Sequence, residues 1–384
     1  MKRSLAATVA TATLLCALSG CAPAELPDAA ERGLDDYRFA VAMSPSFAKI
    51  IETTAEGEIV FVDDSGNLSG ITTQGIDGAL LAVGDGTLYF TDQNHDYTFA
   101  DTLTEAQRAT REYSQELLTA TEDGFVSVFN SNYADDGLTY QYDVSASAGG
   151  ERRYPHYFEL LGHCDDDVYG VAVPESVSDS SRATRQLVRV HPYANDDGLV
   201  GRWVPTAATL QEGLDVPCVD RELYFLSTEL AGPVTSEQTF AGMSLRAWNV
   251  DTGDVRSVAL TDESGAPFAE RNREYAYLTR SSWSIVGTTL YWIDGDGVLL
   301  ATSTVSGLTR EIATLDLANA QSANNRIEFD GTRLYVFEIA TEARISTYRL
   351  SNGELLGVTP LNGVAAIARA NGLIVTDFAV LPNN

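Results

Sequence analysis

The sequence predicts an all-β chain folded as a single β-propeller of seven four-stranded blades, with eight blades as the alternative count. Three observations carry this expectation. First, a turn followed by an apolar residue and further alternation recurs at Leu88-Tyr89, Val126, Val168-Tyr169, Leu223-Tyr224, Leu290-Tyr291, Leu334-Tyr335 and Leu373-Ile374, with gaps of 38, 42, 55, 67, 44 and 39 residues. An apolar strand and a Gly/Asp/Asn turn precede each copy, as in 80–86, 284–288 and 326–332, so each reads as a hairpin. Second, another hairpin with an Asp/Ser-x-Gly corner follows most copies, as at 245–259, 299–313 and 345–359. Two hairpins make a four-stranded unit of roughly 40 residues, the size of a propeller blade. Third, the two ends complete each other. Residues 365–377 read as a first-type hairpin and 59–72 as a second-type one, and sharing one blade between them closes the ring without a free edge. The expected blades are 79–114, 116–157, 158–207, 212–262, 281–316 and 325–361, with 363–380 joined to 38–74.

Ahead of the ring, residues 1–20 read as a signal peptide. Lys2 and Arg3 precede an apolar run from Leu5 to Leu18, too short for a comfortable membrane span. Residues 21–37 are rich in Ala, Pro, Glu and Asp and read as a flexible tether, leaving 38–384 as the propeller domain. The chain of 384 residues carries 54 acidic against 25 basic side chains, a net charge of −29, which becomes −31 once residues 1–20 are removed. This balance argues against nucleic acid and against electrostatic docking on anionic lipid. Lys49 is the one lysine after the signal, and the other basic residues are arginine.

The segment Leu18-Ser19-Gly20-Cys21 resembles a bacterial lipobox. The resemblance implies cleavage before Cys21 and acylation of that cysteine, and hence a lipid-anchored extracytoplasmic protein of the bacterial cell envelope. Cys164 and Cys218 then remain; they are either two buried thiols or a disulfide, and their similar places on neighbouring repeats favour the bridge. Ala247-Trp248-Asn249-Val250-Asp251-Thr252-Gly253-Asp254-Val255 resembles the quinoprotein-like (PQQ/WD40-like) repeat, whose Asp-x-x-Thr-Gly corner closes the outer hairpin; bacterial lipoprotein propellers of the outer-membrane assembly-factor type carry similar repeats. The resemblance implies architecture only. Ser257 and Val258 stand where the tryptophan that usually ends such repeats would be, and no cofactor is expected.

The long insertions, 93–112, 174–186, 227–243 and 263–280, fall at links between hairpins or between blades, which lie on one face of a propeller. The ligand-binding candidates cluster there: Arg111, Tyr113, Arg153, Tyr154, His156, Tyr157, Arg273, Tyr275 and Tyr277. Arginine forks with tyrosine faces suit an anionic or glycan ligand at the channel mouth; the competing account pairs these arginines with abundant carboxylates and packs the tyrosines between blades. Catalytic motifs are absent: the four histidines are scattered, with neither HExxH nor GxSxG. Asp165-Asp166-Asp167, Asp63 to Asn67 and Asp294 to Gly297 read as turns rather than metal sites. The expected function is a monomeric binding or scaffold module for an envelope protein, polymer or anionic ligand. The alternative is a glycan hydrolase or lyase with a site at the axial channel mouth.

Overall fold

The computed structural model describes residues 26–46, 55–109, 114–133, 140–148, 150–173, 183–193, 198–205, 209–212, 215–230, 240–268, 283–318 and 325–382. Its strands form seven antiparallel sheets, the blades of one propeller. From axis to rim, blade one is Leu373–Val380, Phe39–Pro45, Glu56–Val62 and Leu68–Gln74. Blade two is Leu81–Gly84, Thr87–Thr91, His95–Phe99 and Leu103–Gln107; blade three is Gln115–Thr121, Gly124–Tyr133, Tyr140–Ala146 and Gly150–Tyr154. Blade four is Tyr157–Cys164, Asp167–Val173, Arg185–His191 and Leu199–Trp203. Blade five has an inner strand in two pieces, Thr209–Glu212 and Cys218–Val219, then Glu222–Leu230, Phe240–Asn249 and Val255–Ala259. Blade six is Trp283–Val286, Thr289–Ile293, Val298–Ser303 and Thr309–Thr314, and blade seven is Arg326–Asp330, Arg333–Ile339, Ala343–Arg349 and Leu355–Leu361.

The recurring motif marks the second strand of blades two to seven. Its apolar residues Leu88, Val126, Val168, Leu223, Leu290 and Leu334 are all buried, one per blade. Apolar clusters fill every interface between neighbouring blades, including the one between blades seven and one. The core is therefore distributed around the ring between the blades, as a blade cannot bury both its faces alone.

The outer-hairpin corners of blades five, six and seven share one geometry. Gly253, Gly307 and Gly353 donate N–H to the carbonyls of Asn249, Ser303 and Arg349 at 2.9, 2.9 and 2.8 Å, and all three have positive φ, 75°, 72° and 68°. Each also lies against the preceding blade, where a Cβ would meet Val200 O, Ala259 O or Ala313 Cβ. The tight corner and the close approach both require glycine. In blade five, the buried Trp248 donates Nε1–H to Gly253 O at 3.0 Å, tying the corner to the core.

Two expectations are corrected. Residues 365–371 are not a strand; Val364–Asn371 is an α-helix ended by Gly372 in the left-handed region. Its alanines favour helix, and its buried residues Val364, Ala365, Ile367 and Ala368 follow a helical rather than an alternating period. The shared blade is consequently built from one C-terminal and three N-terminal strands, with Leu373–Val380 pairing antiparallel to Phe39–Pro45. The expected tether also folds earlier than Tyr37. Ala29, Leu34 and Tyr37 are buried, Gly70 N bonds Pro27 O at 2.9 Å and Leu34 N bonds Ala100 O at 2.8 Å. This segment covers the outer strand of blade one and reaches blade two, shielding an otherwise open edge. No helix among the described residues is long and apolar enough to cross a membrane.

Candidate functional site

The inner strands converge on the axis and leave a cavity of about 510 Å³. Its walls come from the inner-strand regions of five blades, Ala120, His163 with Asp165, Asp215 to Val219, Trp283 to Ile285, and Glu328 with Phe329, and Asp165 in the within-hairpin turn of blade four sets its opening on the face of those short turns. The structure thus places the axial cavity at the mouth opposite the long-loop face, where sequence reasoning looked for it. The sulfurs of Cys164 and Cys218 are bonded across the inner-strand ends of blades four and five, with Cα atoms 5.2 Å apart, and Cys218 forms part of the wall.

Three carboxyl groups and one imidazole dominate the lining. His163 Nδ1 lies 3.5 Å from Asp215 Oδ1. Burial works against protonation of this imidazole, but Asp215 and then Asp165 outweigh it and hold its pKa above the ordinary histidine value. Glu328 makes no ion pair among the described residues. Burial first, then the carboxylates of Asp377, Asp215 and Asp330, push its pKa well up. Arg326, two residues away on the same strand, donates to the carbonyls of Asn325, Val375 and Thr376 at 2.7 Å each, which fixes blade seven to blade one. Asp165 is held at the rim by Arg221, 3.3 Å away, which also reaches Asp167 and Asp251. Asp166 accepts from Glu122 N at 2.7 Å. The Asp165–Asp167 run thus links blades three, four and five. Asp63 and Asp294 use their carboxylates on backbone N–H groups of their own turns.

On the opposite face, tyrosines gather between blades three and four. Tyr133 ends one strand, Tyr140 begins the next and Tyr157 begins the inner strand of blade four. Tyr140 packs edge-on against Tyr133 and Tyr157, with ring centroids 5.0 and 5.3 Å apart. Tyr133 and Tyr157 remain 57% and 44% exposed. Asn130 Nδ2 donates to Tyr140 Oη at 2.6 Å. Burial raises the pKa of Tyr140 and Tyr157, so both are neutral phenols at physiological pH. Tyr142 and Phe158 lie beneath, 5.1 Å apart.

The sequence candidates separate on this scaffold. Tyr157 lies in the exposed patch, and neighbouring His156 stands edge-on to Phe158. Arg153 and Tyr154 are on the outer strand of blade three, away from the axis. Arg153 grips Asp143 through two hydrogen bonds of 2.7 Å. Burial alone would raise the pKa of Asp143, but Arg153 and Ser131 outweigh it and hold it below the ordinary value. Tyr154 is buried, donates to Val190 O at 2.9 Å and lies under the Arg152 guanidinium. Both follow the competing account: an arginine paired with a carboxylate and a tyrosine packed between blades. Arg111, Tyr113, Arg273, Tyr275, Tyr277 and Cys21 lie outside the described residues. Sequence reasoning missed Tyr133, Tyr140, Glu328 and Asp215; aromatics at the two ends of a link between hairpins were the available signal for the first two.

No curated protein matches the chain. Among solved structures, BamB from Moraxella catarrhalis is 10% identical with a TM-score of 0.44, covering 89% of this chain and 86% of that one. Apo AztD from Citrobacter koseri is 9% identical with a TM-score of 0.40, covering 85% and 95%. The computationally designed Ika8 protein is 12% identical with a TM-score of 0.39, covering 73% and 86%. The family model of the YycP beta-propeller domain matches residues 33–381, the whole ring from the buried Leu34 to the closing strand, and the chain belongs to that family.

Proposed function

We propose that this propeller is a binding or scaffold module of the bacterial cell envelope, anchored by lipid on Cys21 and engaging an envelope protein or glycan through its long-loop face. The observation that carries the reading is the patch of Tyr133, Tyr140 and Tyr157. Rigid rings with polar tips, held by mutual packing on a closed scaffold, lose little entropy on binding and offer both stacking and hydrogen bonding. The patch lies on the face from which the long insertions leave.

The folded N-terminus sharpens the anchoring half of the reading. With Leu26 already beside Gly70 on blade one, residues 22–25 alone separate Cys21 from the ring. The five steps from Cys21 to Leu26 span at most about 18 Å, so the lipid would hold the outer edge of blade one close to the bilayer and leave both mouths of the ring accessible from the side.

Capture from a solubilised envelope extract tests the reading. The immobilised mature chain is expected to retain a reproducible partner, and Tyr133→Ser combined with Tyr157→Ser is expected to lose it while its thermal unfolding is unchanged. Equal retention by the folded double variant would overturn the assignment of the face. Absence of label from a palmitate analogue in the wild type, or equal labelling of Cys21→Ser, would overturn the anchor.

A further inference from the structure

The tyrosine patch has a chemistry more specific than that of an apolar surface. Tyr133 and Tyr157 each meet Tyr140 at close to a right angle, 86° and 84°. No parallel neighbour therefore covers either ring, and both stay open to solvent. Tyr140 between them is fixed in turn: it accepts from Asn130 Nδ2 at 2.6 Å and leans on Tyr142 with ring centroids 5.6 Å apart. Tyr133 ends the second strand of blade three and Tyr157 begins the inner strand of blade four, so the platform runs outward from the axis across the cleft between the two blades. Its open rings, 5.0 and 5.3 Å from the same third ring, lie within about the length of a disaccharide of each other.

The polar groups narrow the ligand further. Among the described residues, neither the Tyr133 nor the Tyr157 hydroxyl makes a hydrogen bond, and a neutral phenol both donates and accepts. The charges nearby are negative. Glu116 stands close enough to Tyr140 and Tyr157 to work against their ionisation, and so does Glu159 at Tyr157. Glu159 is paired with Arg185, and Arg153 grips Asp143. An anionic ligand would meet carboxylates with these guanidinium groups already engaged. Blades three and four expose no Leu, Ile, Met or Phe among the described residues, the surround from which a dry protein interface is built.

We infer that the ligand of this face is a neutral oligosaccharide of glucose-like configuration, stacked on Tyr133 and Tyr157 and hydrogen-bonded to their hydroxyls. In β-1,4-linked glucose or N-acetylglucosamine every ring substituent is equatorial. Axial C–H bonds therefore cover both faces of each sugar and fit the electron-rich face of a phenol ring. The hydroxyls project from the rim of the sugar, where the polar tips of the tyrosines meet them. Rings held by mutual packing lose little entropy when the sugar arrives. The inference deepens the binding role proposed for the tyrosine patch and rests on it.

Titration calorimetry of the mature protein with chitotriose and cellotriose tests the inference, with β-1,4-triglucuronate as a counterpart of the same ring geometry and opposite charge character. One saturable site is expected for at least one of the two neutral trimers, and none for triglucuronate. Affinity should fall about three- to tenfold in Tyr133→Ala and in Tyr157→Ala, with thermal unfolding unchanged. It should fall by a smaller factor in Tyr157→Phe, which keeps the ring and removes the hydroxyl. No saturable heat from either neutral trimer at concentrations on the order of 10 mM would overturn the inference. It would do so even where an envelope extract still yields a protein partner retained through these tyrosines, a result that leaves the binding role of the face standing. Equal or tighter binding of triglucuronate would overturn the neutral ligand, and wild-type affinity in both alanine variants would overturn its place on the patch.

Discussion

Glu328 shows how a residue acquires chemistry from its surroundings. Its pKa is raised by burial and by Asp377, Asp215 and Asp330, so the folded chain binds this proton more tightly than the unfolded chain. Stability therefore falls as pH rises from the ordinary carboxylate range toward the folded value. Glu328→Gln removes the titration and keeps the shape. It is expected to leave urea unfolding unchanged near pH 4 and to stabilise the protein by about 1 kcal/mol near pH 7.5; destabilisation at neutral pH would contradict the assigned setting. His163 is raised as well. Its contribution is present below the ordinary imidazole value and is lost as pH rises through the folded one, so His163→Gln should cost stability near pH 5.5 and little near pH 8.5. Locally, Arg326 to Asp330 reads as an alternating strand in which Glu328 and Asp330 look alike. Their difference comes from inner strands converging from other blades, a relation that no local pattern encodes. Arg153 illustrates the converse. Its attraction as an anion ligand was visible in the sequence, but its partner Asp143, ten residues earlier, became evident only with the strand register.

At the scale of the element, the repeats were legible because two demands recur, a buried apolar residue after the first turn in blades two to seven and a glycine at the outer corner in blades five, six and seven. Leu334 and Gly353 of blade seven meet both. Gly353→Ala places a Cβ in the left-handed region and against Ala313 of blade six. It is expected to cost about 1–3 kcal/mol in urea unfolding, whereas Gly331→Ala, in an inner turn with open space around it, carries only the backbone share of that cost. Equal effects at the two positions would show that close approach between blades contributes nothing. The helix Val364–Asn371 escaped the repeat reading because Ala365, Ile367 and Gly372-Leu373 imitate a hairpin's apolar run and turn. Alanine content and the i, i+3 spacing of its buried residues were the discriminating signals.

At the scale of the molecule, the ring is closed by joining the ends of the chain, and the joint is specific. Strand Leu373–Val380 pairs with Phe39–Pro45 on one side. Arg326 of blade seven bonds its carbonyls, and on the blade-two side Thr376 Oγ1 donates to Ala79 O at 2.7 Å while Asp377 accepts from Leu81 N at 3.0 Å. Seven blades and a shared closure were legible from repeat spacing and from the complementary ends. The division into one strand and three was not, because Phe39–Pro45 is buried throughout and shows no alternation to mark it as the second strand of a blade. Both mouths, the tyrosine patch on one and the acidic cavity on the other, owe their rigidity to this closure. Thermal unfolding of a chain ending at Gly372, followed by circular dichroism against the full chain, examines it directly. The full chain is expected to unfold in one cooperative transition and the truncated one to lose that transition or melt far lower, because the inner strand of blade one and its contacts to blades two and seven are gone. A truncated chain that still melts cooperatively within a few degrees of the full one would contradict a ring locked by its own termini.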